Sequence, residues 1–230
     1  MKKTQYFLLS FMLFIFLSCK KENAKPTGLA SLSVINAAAS VPSVGINLFA
    51  NNIPYSQNSS FINYQTKIEI GLPNGQNALN LVSSLDTTHT IFHGSVDLQY
   101  GGIYSLYIEG PPDKVETLLL KDNIPAYRDS TAGARFINLS PDSQALNISL
   151  LGSNGNEFSG IAYKQVTSFK TYSAVSNIIN NGGYIFNVTD ASGKILTTFN
   201  WVPSTFHANT LVTSGQVSDG SISVFAVNNF

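Results

Sequence analysis

The sequence predicts an all-β protein: two tandem β-sandwich units following a short N-terminal export segment. Three observations carry this reading. Apolar residues alternate with polar ones at period two, turn-forming clusters separate those runs, and a shift of 102 places lays one half of the chain over the other.

The chain has 230 residues, 43% of them apolar, enough for one large core or two ordinary ones. Charged residues make up only 11%, against roughly 25% in an average globular protein. Asn, Ser, Thr and Gly supply the polarity instead, and these favour turns and strands over helices. Basic and acidic residues number thirteen each, and neither sign clusters outside the extreme N-terminus. That leaves no basic face to neutralise phosphates, so no nucleic-acid partner is expected.

Residues 1–18 read as a signal peptide. Met1-Lys2-Lys3 gives a positive start, and Tyr6 to Ser18 is apolar almost throughout. As a helix this run would span about 20 Å, short of a hydrocarbon core of about 30 Å. It ends Phe16-Leu17-Ser18-Cys19, and Cys19 is the only cysteine. A lone thiol in an exported protein has no internal disulfide partner. The tetrapeptide resembles a bacterial lipobox, with Phe16 where Leu is usual. The resemblance implies that Cys19 is lipidated and, after cleavage, anchors the chain in a membrane. Residues 19–28 are polar and contain Pro26 and Gly28, as a flexible tether should. Lys20-Lys21-Glu22 resembles the surface-export signal of some Gram-negative lipoproteins, which implies the outer membrane and display at the cell surface.

Two units follow, 29–127 and 128–230. The shift lays Val34-Ile35-Asn36 over Phe136-Ile137-Asn138, and Val44, Ile46, Leu48 and Phe49 over Leu146, Ile148, Leu150 and Leu151. Asn52 lies over Asn154, and Leu106-Tyr107 meets Leu211-Val212 after a change of offset the size of one loop insertion. Ile46 and Leu48, then Ile68, Ile70 and Leu72, then Ile222 and Val224 alternate with polar residues or glycine, as half-buried strands do. Pro73-Asn74-Gly75, Gly101-Gly102, Asn180 to Gly183 and Asp190 to Gly193 supply turns between strands. No window of a dozen residues sustains a capped helical stripe. The join, Asn123 to Gly133 (NIPAYRDSTAG), is polar with Pro and Gly, so first cleavage by a protease is expected there. Six to eight strands in about 100 residues suit a sandwich of Ig-like or transthyretin-like type, since a second sheet covers the apolar face of the first.

Ala134 to Asp142 (ARFINLSPD), then Leu146 to Leu150 (LNISL) and Tyr163 to Thr167 (YKQVT), resembles an uncharacterised bacterial domain of unknown function. Its members open with a strand, a Ser-Pro-Asp turn and a second alternating strand. They often stand in tandem in Gram-negative envelope lipoproteins, some labelled cell-adhesion proteins. The resemblance covers most of the second unit; the first departs from it, with Ala38-Ala39-Ser40 in place of Ser140-Pro141-Asp142. It implies architecture and address, and no chemistry.

Candidate chemistry is sparse. His89 and His93 have a helical ligand spacing, but THTIF favours a strand, where residues four apart lie about 13 Å from one another. No metal site is expected. Ser140-Pro141-Asp142 reads as a turn, with Pro fixing φ and Asp bonding back to backbone. Gly-x-Ser-x-Gly, phosphate-binding glycine loops and dense acidic calcium patterns do not occur. Neither an enzyme nor a cofactor is expected. Aromatic residues offer a better lead: Trp201, Phe206, Tyr163 and Tyr172 could present flat faces to a sugar, against the alternative that they fill the core. Asp86-Thr87-Thr88 and Asp129-Ser130-Thr131 resemble the short motif that some Gram-negative bacteria O-glycosylate, which implies sugars on Thr87 and Ser130. The expectation is thus a non-enzymatic, lipid-anchored cell-envelope protein, a surface interaction, adhesion-like or structural module with an unknown protein or glycan ligand. The alternative is a glycan-binding accessory lipoprotein that uses an exposed aromatic patch.

Overall fold

The computed structural model describes residues 28–38, 45–56, 61–110 and 114–229. Cys19, the signal segment and the tether up to residue 27 lie outside them. Eight strands form the first unit: β1 (Leu29–Asn36), β2 (Ile46–Ala50), β3 (Ile53–Ser56), β4 (Lys67–Pro73), β5 (Gly75–Ser83), β6 (Thr90–Leu98), β7 (Ile103–Glu109) and β8 (Glu116–Lys121). The second unit holds β9 (Thr131–Asn138), β10 (Leu146–Leu150), β11 (Asn156–Ile161), β12 (Lys170–Ser173), β13 (Tyr184–Thr189), β14 (Ile195–Trp201), β15 (Ala208–Ser214) and β16 (Ser223–Asn228). One short helix, α1 (Ser176–Asn180), precedes β13.

Each unit is a sandwich of two four-stranded sheets, and the strand order is the same in both. The first has β4-β1-β7-β8 over β3-β2-β5-β6; the second has β12-β9-β15-β16 over β11-β10-β13-β14. In both, the opening strand runs parallel to the seventh, β1 with β7 and β9 with β15. The expected all-β, two-sandwich architecture is what the chain adopts, with four strands in every sheet.

Register reproduces the repeat residue by residue. Val34 stands opposite Leu106, and Phe136 opposite Leu211, so the offset change between the halves is real in space. The matched asparagines do the same work. Asn36 and Asn138 are both buried; each receives the N–H two residues ahead, and they donate to the carbonyls of Ile62, past β3, and of Ile161, at the end of β11. A buried amide must be satisfied, which ties these positions to one residue type.

Between the sheets lie two separate cores. Leu32, Val34, Leu48, Leu81 and Leu106 belong to the first; Phe136, Ile148, Phe186, Trp201 and Leu211 belong to the second. A third apolar cluster joins the units, with Ile35, Ala37 and Tyr107 from one and Ile137, Leu139, Val212, Phe225 and Val227 from the other. Strand β16 turns Phe225 and Val227 into this cluster and rests Val224 against the second core, while Ala226 and Asn228 stay exposed. The cluster sets equivalent positions against each other: Ile35 and Ile137, Tyr107 and Val212.

Polar contacts around it obey the same reciprocity. Tyr64 hydrogen-bonds Ser214 at 2.9 Å, while its counterpart Tyr163 donates to Glu109, the counterpart of Ser214. Gln65 reaches Ser223 at 2.8 Å, while Lys164 reaches Glu116. Such exchange of like positions is the mark of an isologous contact, here within one chain. A hydrogen bond nets about 1 kcal/mol, whereas each fully buried Val, Leu or Ile contributes about 1.5–3 kcal/mol. The apolar cluster dominates the junction.

The join is not a free linker. Asp122 pairs with Arg135 across it, both buried, and Asp122 also accepts from Ser105 at 2.7 Å. Arg135 donates onward to Thr210 at 2.9 Å and lies over the Phe169 ring. Tyr127 packs on Gly133, where even a Cβ would stand 2.0 Å from its ring. Strand β9 already begins at Thr131.

Candidate functional site

The four aromatic candidates do not form one platform. Trp201 is 3% exposed and Tyr172 7%, both inside the second core. Their rings meet edge to face at 5.4 Å, and Tyr184 stacks on Trp201 at 5.9 Å. Burial of large aromatic area there outweighs display, so the ligand-facing reading of Trp201 and Tyr172 is corrected: they are core residues. Burial and a hydrogen bond to the Glu109 carboxylate push the Tyr163 hydroxyl well above the ordinary tyrosine range; that hydroxyl serves the junction. Only Phe206 stands out, 62% exposed on a turn with φ of 70°.

The turn at Ser140-Pro141-Asp142 also has a structural job, although not a local one. The Asp142 carboxylate accepts from Val217 N at 2.8 Å and Ser218 N at 2.9 Å, tying the first turn of the second unit to the β15–β16 loop. Burial pushes that carboxyl up, but hydrogen bonding from the Ser218 side chain and from the Val217 and Ser218 N–H groups outweighs it and holds the group below the usual range. His93 lies on β6 and His89 in the turn before it; among the described residues no three His, Cys, Asp or Glu side chains are placed to hold a metal. Thr87 is exposed in a turn that Asp86 caps through Thr88. Ser130 is half-buried in the β9 entry turn, with φ of 56°, and its carbonyl accepts from Ala174.

A cleft of about 420 Å³ opens beside the buried tryptophan. Strand β14 supplies Phe199, Asn200 and Trp201, the next loop Ser204 and His207, β15 Asn209, and β16 Ala226 and Asn228. The volume falls in the range of small-molecule sites. The Trp201 indole N–H donates to Asn209 Oδ1 at 3.2 Å, which fixes that amide and directs its NH₂ group elsewhere. His207 Nδ1 is enclosed with no hydrogen-bond partner among the described residues.

The corresponding place in the first unit is filled. Equivalent registers put Gly94 where the second unit has Trp201, since Leu79 faces Gly94 as Tyr184 faces Trp201. Tyr104, paired with Lys121, takes the position of Asn209, paired with Asn228. Tyr104 is only 5% exposed, its hydroxyl accepts from Gln99 N at 3.0 Å, and Lys121 bonds Gln99 Oε1 at 2.6 Å. A tyrosine replaced by an asparagine opens the space. No sequence reasoning singled out Asn200, Asn209 or Asn228, one on each of the last three strands.

Residues 30–149 match the family described as Domain of unknown function (DUF4397). The chain belongs to this family. The DUF4397 match covers the first unit, the join, β9 and most of β10, so it takes in the ARFINLSPD stretch and the first unit that departs from that pattern, while Tyr163 to Thr167 lie beyond it. No curated protein matches the chain. Among solved structures, a family 26 carbohydrate-binding module from Eubacterium rectale in complex with maltoheptaose aligns at 10% identity and a TM-score of 0.28, covering 85% of this chain and 96% of that one. A streptococcal virulence factor described as binding alpha-glucan aligns at 8% identity and a TM-score of 0.27, covering 84% and 95%. Likenesses at such scores carry no argument about this chain.

Proposed function

We propose that this member of the DUF4397 family is a non-enzymatic, lipid-anchored envelope protein that holds an external ligand in the β14–β16 cleft. The observation that carries the reading is the contrast between the copies: one fold, built twice, is closed by Tyr104 in the first unit and open at Asn209 in the second. The described lining of the cleft contains no carboxylate, and glycosidic cleavage needs two. Cys19 supplies the anchor and the polar tether reaches from the outer membrane to β1, with the units 29–127 and 128–230 displayed as one body. An exposed aromatic patch is no part of this reading, because Trp201 and Tyr172 are buried.

Arrays of proteins and glycans probed with the mature chain test it. Ala226→Trp places a large side chain in the cleft from an exposed strand position, and should abolish the captured ligand's binding without unfolding. Undiminished binding by that variant would remove the cleft from the proposal. The anchor has its own test: Cys19→Ala should lose fatty-acid label and leave the membrane fraction. Sugars on Thr87 and Ser130 belong to the same surface reading, and an intact mass equal to the bare lipidated chain would end that part of it.

A further inference from the structure

We infer that the ligand of this cleft is a neutral carbohydrate, gripped edge-on by amide side chains and not stacked on an aromatic face; the inference rests on the cleft-binding reading above. Asn200, Asn209 and Asn228 line the cleft from three strands; a free amide offers one acceptor and two donors, and Asn209, its Oδ1 held by the Trp201 indole, keeps its NH₂ to donate. Vicinal sugar hydroxyls have the same dual character, so amide and hydroxyl can exchange bonds in both directions. No Lys, Arg, Asp or Glu lines the cleft among its described residues, so nothing there would repay the desolvation of a charged ligand. Phe199 and the covered edge of Trp201 give an apolar floor suited to the C–H face of a pyranose, but with Trp201 3% exposed no full ring stack is available. Selectivity accordingly falls to the amides.

The chain reports on this site by itself, since it holds one tryptophan and that residue lines the cleft. The mature protein would be titrated with maltoheptaose, cellohexaose, mannohexaose and N-acetylchitohexaose, with an oligogalacturonate as the acidic comparison, while the indole N–H resonance of Trp201 is followed. At least one neutral oligosaccharide should move it saturably. Asn200→Ala and Asn228→Ala, both at exposed positions that leave the core intact, should each weaken that response about tenfold, as loss of one hydrogen bond does. No shift with any of the four neutral sugars, or a response to the oligogalacturonate alone, would overturn the carbohydrate assignment. An array ligand that Ala226→Trp blocks but that is protein or charged would also overturn it while leaving the cleft-binding reading intact; an array ligand unaffected by that variant would sink the reading itself.

Discussion

The two units are one fold with two chemistries at every place where they meet the outside of their own core. Inside, they agree: eight strands in the same order, a buried asparagine at the end of the first strand, and glycines with positive φ after the seventh, Gly110 and Gly215. A Cβ at either glycine would stand within 2.4 Å of a backbone carbonyl oxygen, which explains why both copies keep that residue. At the junction they differ. The contacts of Tyr64 and Gln65 are neutral, and those of Tyr163 and Lys164 are ionic. Geometry is thus the constraint at the junction, and any complementary pair of groups satisfies it. At the cleft the copies part entirely. Selection for packing keeps duplicates alike; divergence shows where packing no longer decides.

The sharpest way to break this comparison is at Arg135 and Asp122. Arg135→Ala leaves a buried carboxylate unpaired and should cost about 3–5 kcal/mol in urea denaturation. The symmetric positions hold Ser33 and Asn229, with Thr210 donating to Asn229 at 2.7 Å. Arg135→Ser combined with Asp122→Asn should therefore lose less than either change alone. Losses that simply add would mean the ionic pair has no neutral equivalent.

Next in size are the matched asparagines. Asn36→Ala and Asn138→Ala each strand a buried N–H, that of Ala38 or of Ser140, and should each cost about 1–3 kcal/mol, by similar amounts. A marked inequality would show that the two turns are not doing the same work.

A smaller effect separates the neutral from the ionic side of the junction. Hydrogen bonds from Lys114 and Lys164 hold the Glu116 carboxyl down at about 2. Burial alone would lower Lys164, but its bonds to Glu116 and Glu109 outweigh that and keep it above the ordinary lysine range, charged throughout the acid range. A depressed carboxyl stabilises the fold fully above its unfolded value of 4.5, and the contribution disappears as pH falls towards about 2. Lys164→Gln with Glu116→Ser installs the chemistry of Gln65 and Ser223. Its melting temperature should fall less steeply over that acid window than the parent's, and identical slopes would refute the linkage.

The least change is expected from a cut. Asn123, Pro125, Ala126 and Arg128 are exposed, so a protease can reach the join as the sequence suggested. The halves should nevertheless co-elute in gel filtration after cleavage and separate only in denaturant, because the apolar cluster and the Arg135–Asp122 pair span the nick. Fragments that part under native conditions would make the units independent.

Much of this was legible in the residues. Period-two alternation set the strands, the 102-place shift set the duplication, and Asn36 over Asn138 marked a shared buried amide, because side-chain burial in a strand imprints directly on local order. The junction left a fainter trace: Leu118-Leu119-Leu120 in β8 and adjacent apolar pairs such as Leu106-Tyr107 are the runs of strands covered on both faces. What covers the second face is a non-local fact. The same holds for the aromatics, since alternation puts Phe199 and Trp201 on one side of β14 but cannot say whether a neighbouring sheet lies over them. Only the tertiary structure decided that Trp201 is inside, that Phe206 is outside, and that three asparagines from separate strands share one cleft. Strand order and register bring those residues together, and pairing between distant segments is set by the sum of packing over two whole sheets, which no short stretch of sequence contains.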